Sequence, residues 1–125
     1  MPAISARRQG VALVVGGDIH ATAASTMLRT GARDLRANPV HIALSGTLGT
    51  DELAFPSAFR GVLPAPPARL DLRQEIEPIE ENGFMIADVR RDRIVLRFFR
   101  QHSRTQREQE IDRLQPFRVM ELPAG

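Results

Sequence analysis

The chain is organised around the stretch Val11-Ala12-Leu13-Val14-Val15-Gly16-Gly17-Asp18-Ile19-His20. Five apolar residues in a row predict a buried strand, and the two glycines let the backbone turn where a side chain would clash. Asp18 and His20 follow, and in an extended segment residues two apart point to the same face. This pair predicts a metal site, because iron, manganese, zinc and calcium are bound by carboxylates and imidazoles. A second interpretation stays open, in which Asp18 caps the turn by accepting hydrogen bonds from nearby backbone N–H groups.

The composition narrows the chemistry that the chain can perform. Its 125 residues are the length of one domain or of a piece of one. It has no cysteine, which excludes disulfides and thiolate chemistry. All 17 basic residues are arginine, and many of them are interspersed with the 15 acidic residues. This pattern indicates a solvated surface of mixed charge rather than a phosphate-binding stripe, so we expect no nucleic-acid partner.

Neither a membrane partner nor an export signal is expected from these residues. The longest apolar run, Val11–Val15, is far too short to cross a membrane as a helix. Arg7 and Arg8 are not followed by an apolar segment of signal-peptide length. The sequence leaves the cellular location open.

Alternating apolar residues predict further strands. Val40, Ile42 and Leu44 recur with period two, as in a half-buried strand. Two later segments, rich in β-branched and aromatic residues, are predicted to form an antiparallel hairpin. The predicted strands are Val11–Val15, Val40–Leu44, Phe84–Val89, Arg93–Arg100 and Phe117–Leu122, and extended structure is also favoured at Ala21–Leu28.

The remaining segments are predicted to be loops or short helices. Leu70–Ile79 is predicted to be irregular because Pro78 interrupts it. Thr105 and Glu108 have the spacing of a capping box, which predicts a short helix reaching about Leu114. Two further predictions are a helical turn at 51–59 and a stiff proline-rich loop at 61–68. Together these segments predict a β-rich α+β fold whose core contains the Val11 and Val40 strands and the hairpin.

Several segments, in this order, resemble the alkaline phosphatase D family of calcineurin-like metallophosphoesterases. The strand followed by Gly17-Asp18-Ile19-His20-Ala21 resembles the last metal-binding motif of that family, and Ser45-Gly46-Thr47 resembles the segment that follows it. Glu81–Val89 is similar to the hairpin near the family's C-terminus, and Ile111–Phe117 with Glu121-Leu122 is similar to its end. The resemblance covers residues 11–122, between a polar lead-in at 1–10 and a tail at 123–125.

The resemblance implies a fold, a cofactor and an activity. The family has a four-layer αββα sandwich, of which this chain would be the C-terminal part. Its two-metal centre, of iron and calcium, hydrolyses phosphate monoesters or diesters. Carried over by position, Asp18 would bind one metal and His20 the other, while no catalytic residue is assigned. Relatives of full length are usually exported.

The family's earlier motifs, which supply most of its metal ligands, have no counterpart in these residues. We therefore expect an incomplete centre that binds a phosphate-ester substrate only when a missing N-terminal part completes it. The chain alone is expected to be inactive and to self-associate through exposed apolar surface. The alternative is a non-catalytic, β-rich interaction module derived from the same fold.

The other candidate side chains are predicted to be structural. His41 is predicted to be a hydrogen-bonded or exposed strand histidine, and His102 a surface residue. Ser25 and Ser45 have no neighbouring base in the sequence, which gives no support for nucleophilic catalysis.

Overall fold

The chain folds into two β-sheets that pack face to face. The computed structural model describes residues 6, 10–17, 19–49, 67–102 and 105–124. The β-rich character predicted from the sequence is confirmed, and the helix within the described residues is a single turn. The elements are β1 Leu13–Gly16, β2 Thr22–Thr30, β3 Arg33–Asp34, β4 Val40–Leu44, β5 Leu70–Ile79, β6 Gly83–Val89, β7 Arg93–Arg100, α1 Glu108–Ile111 and β8 Arg118–Pro123.

The first sheet is built around β2, which pairs antiparallel with β3, β4 and β5. The β1 strand pairs only with β4 among the described strands, and this pair is parallel. The register joins Leu13 to His41 and Gly16 to Leu44, so the carboxyl ends of β1 and β4 lie at the same edge.

The second sheet is an antiparallel meander in the order β6, β7, β8. The predicted hairpin is confirmed, with Phe84 opposite Phe99 and Val89 opposite Ile94. The predicted final strand is confirmed as well, and it begins at Arg118, one residue later than expected.

The core lies between the two sheets. Leu96 and Phe98 on the central strand β7 are fully buried, and they meet Ala24 and Ala43 from the first sheet. The small alanines let the two sheets approach closely around the large side chains of β7. The buried cluster comprises Ala24, Ala43, Ile76, Leu96, Phe98, Met120 and Leu122.

A second apolar cluster lies on the other face of the first sheet. Successive side chains of a strand point to opposite faces. On β4, Ala43 therefore enters the core between the sheets while Val40 joins the second cluster. This cluster comprises Ala12, Met27, Leu35 and Val40, with Val14, Ile42, Leu70 and Leu72 packed against it.

The irregular structure predicted for Leu70–Ile79 is wrong, because these residues form the ten-residue strand β5. The register pairs Ala24 with Ile76 and Thr22 with Ile79. Between these two pairs, β5 therefore contains one residue more than β2. Pro78 therefore lies in a β-bulge, on a strand whose only described partner is β2. Proline is tolerated at such a place because its missing N–H removes no regular ladder bond.

The predicted helix is shorter than expected, and its cap is a different residue. The N-cap is Arg107 rather than Thr105, and the N–H of Arg107 donates to Glu110 Oε2 at 3.3 Å. Glu110 thus takes the place that the sequence suggested for Glu108. The helical turn predicted at 51–59 and most of the proline-rich loop at 61–68 lie outside the described residues.

Among the described residues, no helix has the length and the apolar character that crossing a membrane requires.

Candidate functional site

The candidate metal loop follows β1 at the edge where two parallel strands end. The β1 strand begins at Leu13, two residues later than predicted, and ends at the first of the two glycines, Gly16. The N–H of Ser45 donates to the Gly16 carbonyl at 3.1 Å. The loop after β1 and the loop after β4 therefore lie side by side. Ligand sites of sheets with parallel strands commonly lie at such carboxyl ends.

The two predicted metal ligands differ in what the structure describes of them. Asp18 lies outside the described residues. His20 is half-buried, and its φ of 54° places its backbone in the left-handed region. Because this backbone is not extended, strand geometry does not set the direction of the His20 side chain, and the common face of Asp18 and His20 stays a prediction.

The loop after β4 connects the two sheets at this edge. The N–H of Gly46 donates to Thr22 Oγ1 at 3.1 Å, and the Thr47 hydroxyl donates to Asn82 Oδ1 at 2.9 Å. The N–H of Gly83 donates to the Thr47 carbonyl at 2.9 Å. These bonds hold the start of β6 against the loop that neighbours the candidate metal loop, and Asn82 is buried there.

The donor set at this edge does not make a two-metal centre by itself. A carboxylate and an imidazole suit calcium and iron, but two side chains are too few to hold two ions. Within residues 10–17, 19–49, 67–102 and 105–124, no group of three or more His, Asp or Glu side chains could hold a metal ion.

A second polar cluster joins the two sheets near the start of β4, and sequence reasoning did not identify it. Thr26 Oγ1 lies 3.1 Å from His41 Nδ1 and donates to Glu75 Oε1 at 3.2 Å. Glu75 accepts a hydrogen bond from Arg73 Nε at 2.7 Å, and its Oε2 lies 3.5 Å from Arg118 Nη2 on β8. The expectation that His41 is a hydrogen-bonded strand residue is confirmed. Its partner Thr26 lies 15 positions away in the chain, and Glu75, the other partner of Thr26, lies 49 positions from Thr26, so only the strand register brings these residues together.

The surroundings change the pKa of two groups in this cluster. Desolvation lowers the pKa of His41, the positive charge of Arg73 lowers it further, and Glu75 opposes both. Burial alone would raise the pKa of Glu75, but the hydrogen bonds and charges of Arg73, Thr26 and Arg118 outweigh burial and lower this pKa. These shifts stabilise the neutral form of His41 and the ionised form of Glu75, so both forms predominate near neutral pH.

Comparison with family models, curated proteins and solved structures gives no match to the chain. The function therefore has to be argued from its residues and their geometry.

Proposed function

We propose that the chain is the C-terminal part of a dinuclear-metal phosphoesterase similar to the alkaline phosphatase D family. In this proposal Asp18 and His20 contribute two ligands to a centre of iron and calcium, and the substrate is a phosphate ester. The observation that supports it is spatial. The loop after β1, the loop at 45–47 and the segment at 81–83 each carry part of the resemblance, and hydrogen bonds join them at one edge of the fold.

The chemistry of the two side chains fits this role. The carboxylate of Asp18 suits the harder ion, and the imidazole of His20 suits iron. When bound, a metal pair lowers the pKa of a water molecule and holds the attacking and leaving oxygens of the phosphate ester. Gly16 and Gly17 precede these ligands in the chain, and they let the backbone pass close to a bound ion.

The two packed sheets fit the inner layers of an αββα sandwich. The outer face of the first sheet carries an apolar cluster that includes Val14, Ile42 and Leu72. Sheets of this kind are commonly covered by helices packed on such a face. A helical layer on this side is part of the proposal.

The rest of the metal ligands must come from residues outside the described part of the chain. Exposed apolar side chains occur on the segments that meet at this edge: Val15 on β1, Ile19 in the candidate metal loop and Leu48 in the loop after β4. Exposed apolar groups beside a ligand loop are expected where another part of a protein packs. A complementary segment on this edge would cover them and complete the centre.

Metal binding tests the role of the loop directly. We expect the chain to bind Mn²⁺ weakly, as measured by electron paramagnetic resonance of the free ion. Asp18→Asn and His20→Gln are each expected to remove this binding, because each substitution leaves only one of the two proposed ligands, the carboxylate or the imidazole. His41→Gln is the matched control, since His41 lies at the start of β4 and the candidate metal loop lies beside the end of this strand. Equal Mn²⁺ binding by all four proteins would contradict a metal role for this loop.

An activity assay tests whether the chain holds only a part of the metal centre. The chain alone is expected to hydrolyse neither p-nitrophenyl phosphate nor its bis ester above background with iron, calcium, manganese or zinc added. Turnover that disappears in Asp18→Ala would show that the chain holds a complete centre, and the proposal of a C-terminal part would then be wrong. Further Asp, Asn and His motifs in the coding sequence upstream would support the proposal.

A second candidate function is a non-catalytic interaction module, and one surface favours it. Ile86 and Val119 are 48% and 47% exposed. The register places both opposite Arg97, one on each side, so the three side chains form a row across the outer face of the second sheet. An exposed row of this kind is a candidate contact surface. Absence of metal binding together with concentration-dependent association would favour this module over the phosphoesterase.

A further inference from the structure

A cleft of about 480 Å³ opens between the two sheets, away from the candidate metal loop. Its volume lies in the range of about 300–1,000 Å³ that is typical of small-molecule sites. His41 borders it at the start of β4, whereas the candidate metal loop lies beside the carboxyl end of this strand. The length of β4 separates the two places by roughly 13 Å.

A β-bulge brings the carboxylate of Glu75 into this cleft. Ala24 pairs with Ile76 and Ser25 pairs with Gln74, which leaves Glu75 as the extra residue on β5. Bulges of this kind redirect side chains. Glu75 and its neighbour Ile76 both reach the space between the sheets, where Glu75 contacts Thr26 and Ile76 enters the core.

Two arginines and two carboxylates border the cleft, and both arginines meet at the same carboxylate. Arg73 and Arg118 both border the cleft, and both pair with the single carboxylate of Glu75. Glu121 also borders the cleft, but its carboxylate lies 3.9 Å from Arg93 Nη1. Each guanidinium has five N–H donors, and Arg73 turns only its Nε towards Glu75. Donors therefore remain on both arginines for an anion.

The hydrogen bonds around Thr26 indicate which nitrogen of His41 carries the proton. The Thr26 hydroxyl donates to Glu75, so the Thr26 oxygen is left to accept from His41 Nδ1. A neutral histidine with its proton on Nδ1 has a basic Nε2 that accepts a hydrogen bond. The ring therefore suits a ligand that has a hydroxyl donor.

We propose that this cleft binds a small organic anion that carries a hydroxyl group beside its carboxylate or phosphate. Arg73 and Arg118 bind the anionic group, and His41 Nε2 accepts the hydrogen bond of the hydroxyl. The apolar body of the ligand packs against Val11, Met120 and Leu122, which also border the cleft. This site needs neither Asp18 nor His20, so it is tested independently of the proposed phosphoesterase.

Nuclear magnetic resonance of the histidine rings tests the proposal at fixed pH. The chain has three histidines, so the imidazole signals of His41 can be assigned with His41→Gln. Mandelate is expected to shift the His41 signals saturably and to leave those of His102 unchanged. Phenylacetate, which lacks the hydroxyl, is expected to bind about tenfold more weakly, and the uncharged mandelamide is expected to give no saturable shift.

A parallel titration with glycerol 3-phosphate distinguishes a phosphate ligand from a carboxylate ligand. Tighter binding of glycerol 3-phosphate than of mandelate would identify a phosphate ligand, and the reverse would identify a carboxylate. Either order supports the proposal, since both compounds share a hydroxyl beside an anion. Equal shifts with mandelate and mandelamide would overturn it.

Two arginine variants test the contacts. Arg73→Gln and Arg118→Gln are each expected to weaken mandelate binding about tenfold, the size expected for losing a charge-assisted hydrogen bond. Arg91→Gln in the exposed turn between β6 and β7 is the matched control and is expected to bind as the parent chain does. Arg73→Gln leaves the Arg118–Glu75 link between the sheets intact, so at least one variant keeps this link, and circular dichroism verifies its fold. Unchanged mandelate affinity in that variant would overturn the proposal.

Discussion

At the scale of single residues, Gly46 is a position where the fold leaves no room for a side chain. A Cβ at Gly46 would lie 2.6 Å from Thr22 Oγ1 and 3.2 Å from the Glu81 carbonyl oxygen. The N–H of Gly46 also donates to the same Thr22 hydroxyl. The sequence predicts a loop at this point, but the close approach of β2 and of the segment before β6 explains why the loop needs glycine.

We predict that Gly46→Ala lowers the free energy of unfolding by about 1–3 kcal/mol, the usual cost of forcing an extra methyl group into a packed site. Urea denaturation measures this change. The matched control is Gly49→Ala in the same loop, where no atom of the described residues lies within 4 Å of an added Cβ. The control is expected to stay within about 0.5 kcal/mol of the parent chain. Equal effects of the two substitutions would contradict the steric explanation.

His41 makes the stability of the fold depend on pH. Its pKa is lowered in the folded chain, while a histidine in an unfolded chain has a pKa of about 6.5. Between these two values the unfolded chain binds more protons, so stability is lost as the pH falls below about 6.5. The charged groups that act on the ring are Arg73 and Glu75 on β5, and Arg118 and Glu121 on β8 border the same cleft.

We predict that the free energy of unfolding, measured in urea over a pH series, decreases as the pH is lowered through 6.5 towards the folded pKa of His41. His41→Gln is expected to flatten this part of the curve, and the exposed control His102→Gln is expected to keep it. A second loss is expected at lower pH, where Glu75, whose pKa is lowered, becomes protonated. The same slope in the parent chain and in His41→Gln would rule out His41 as the cause of the upper step.

At the scale of elements, β5 shows how an edge strand accommodates residues that a central strand would exclude. Two of its three register irregularities have an evident use. One holds Pro78 where no regular ladder bond is lost, and the other turns Glu75 towards the opposite sheet. The strand is therefore continuous in spite of its proline, and its bulge helps to build the cleft.

The central strand β7 is expected to contribute most to stability per residue. Leu96 is completely buried between the sheets, whereas Ile86 on the neighbouring strand β6 is half-exposed. We predict that Leu96→Ala lowers the free energy of unfolding by about 2–5 kcal/mol, because it removes buried methyl groups and leaves a cavity. Ile86→Ala is expected to cost less than about 1 kcal/mol. Equal losses of unfolding free energy in Leu96→Ala and Ile86→Ala, measured by chemical denaturation, would contradict the packing described for β7.

At the scale of the whole molecule, the two sheets bury one core and leave apolar side chains on other surfaces. Ile86 and Val119 lie on the outer face of the second sheet, and Val15, Ile19 and Leu48 lie on the segments that meet at the edge of the candidate metal loop. Exposed groups of this kind favour contacts with another part of a protein or with a second copy of the chain.

We predict that the chain self-associates with increasing concentration, as measured by sedimentation velocity. Ile86→Thr combined with Val119→Thr is expected to reduce this association, because threonine keeps the strand propensity and removes apolar area. Ile111→Thr in the one-turn helix is the control, since Ile111 is exposed and belongs to neither sheet. A monodisperse monomer at all concentrations would show that these surfaces do not bind a second copy.

The strands with strong local signals were predictable from the sequence by itself. The end of β1 at Gly16, the bounds of β4 and the β6–β7 hairpin follow from residue period and from glycine, which act over a few positions. The spacing of Asp18 and His20 is likewise a property of the sequence, and it supports the proposed metal role. The left-handed backbone at His20 is not, because no local pattern of the sequence indicates it.

Tertiary structure alone decided β5 and the cleft. Pro78 disfavours a strand locally, and only pairing with β2 and a bulge at this proline make the strand possible. His41, Thr26, Glu75 and Arg118 have no local pattern, since they come from four strands in two sheets. Local patterns report on backbone preferences within a few residues, whereas a site of this kind forms only when register and sheet packing bring distant side chains within hydrogen-bond distance.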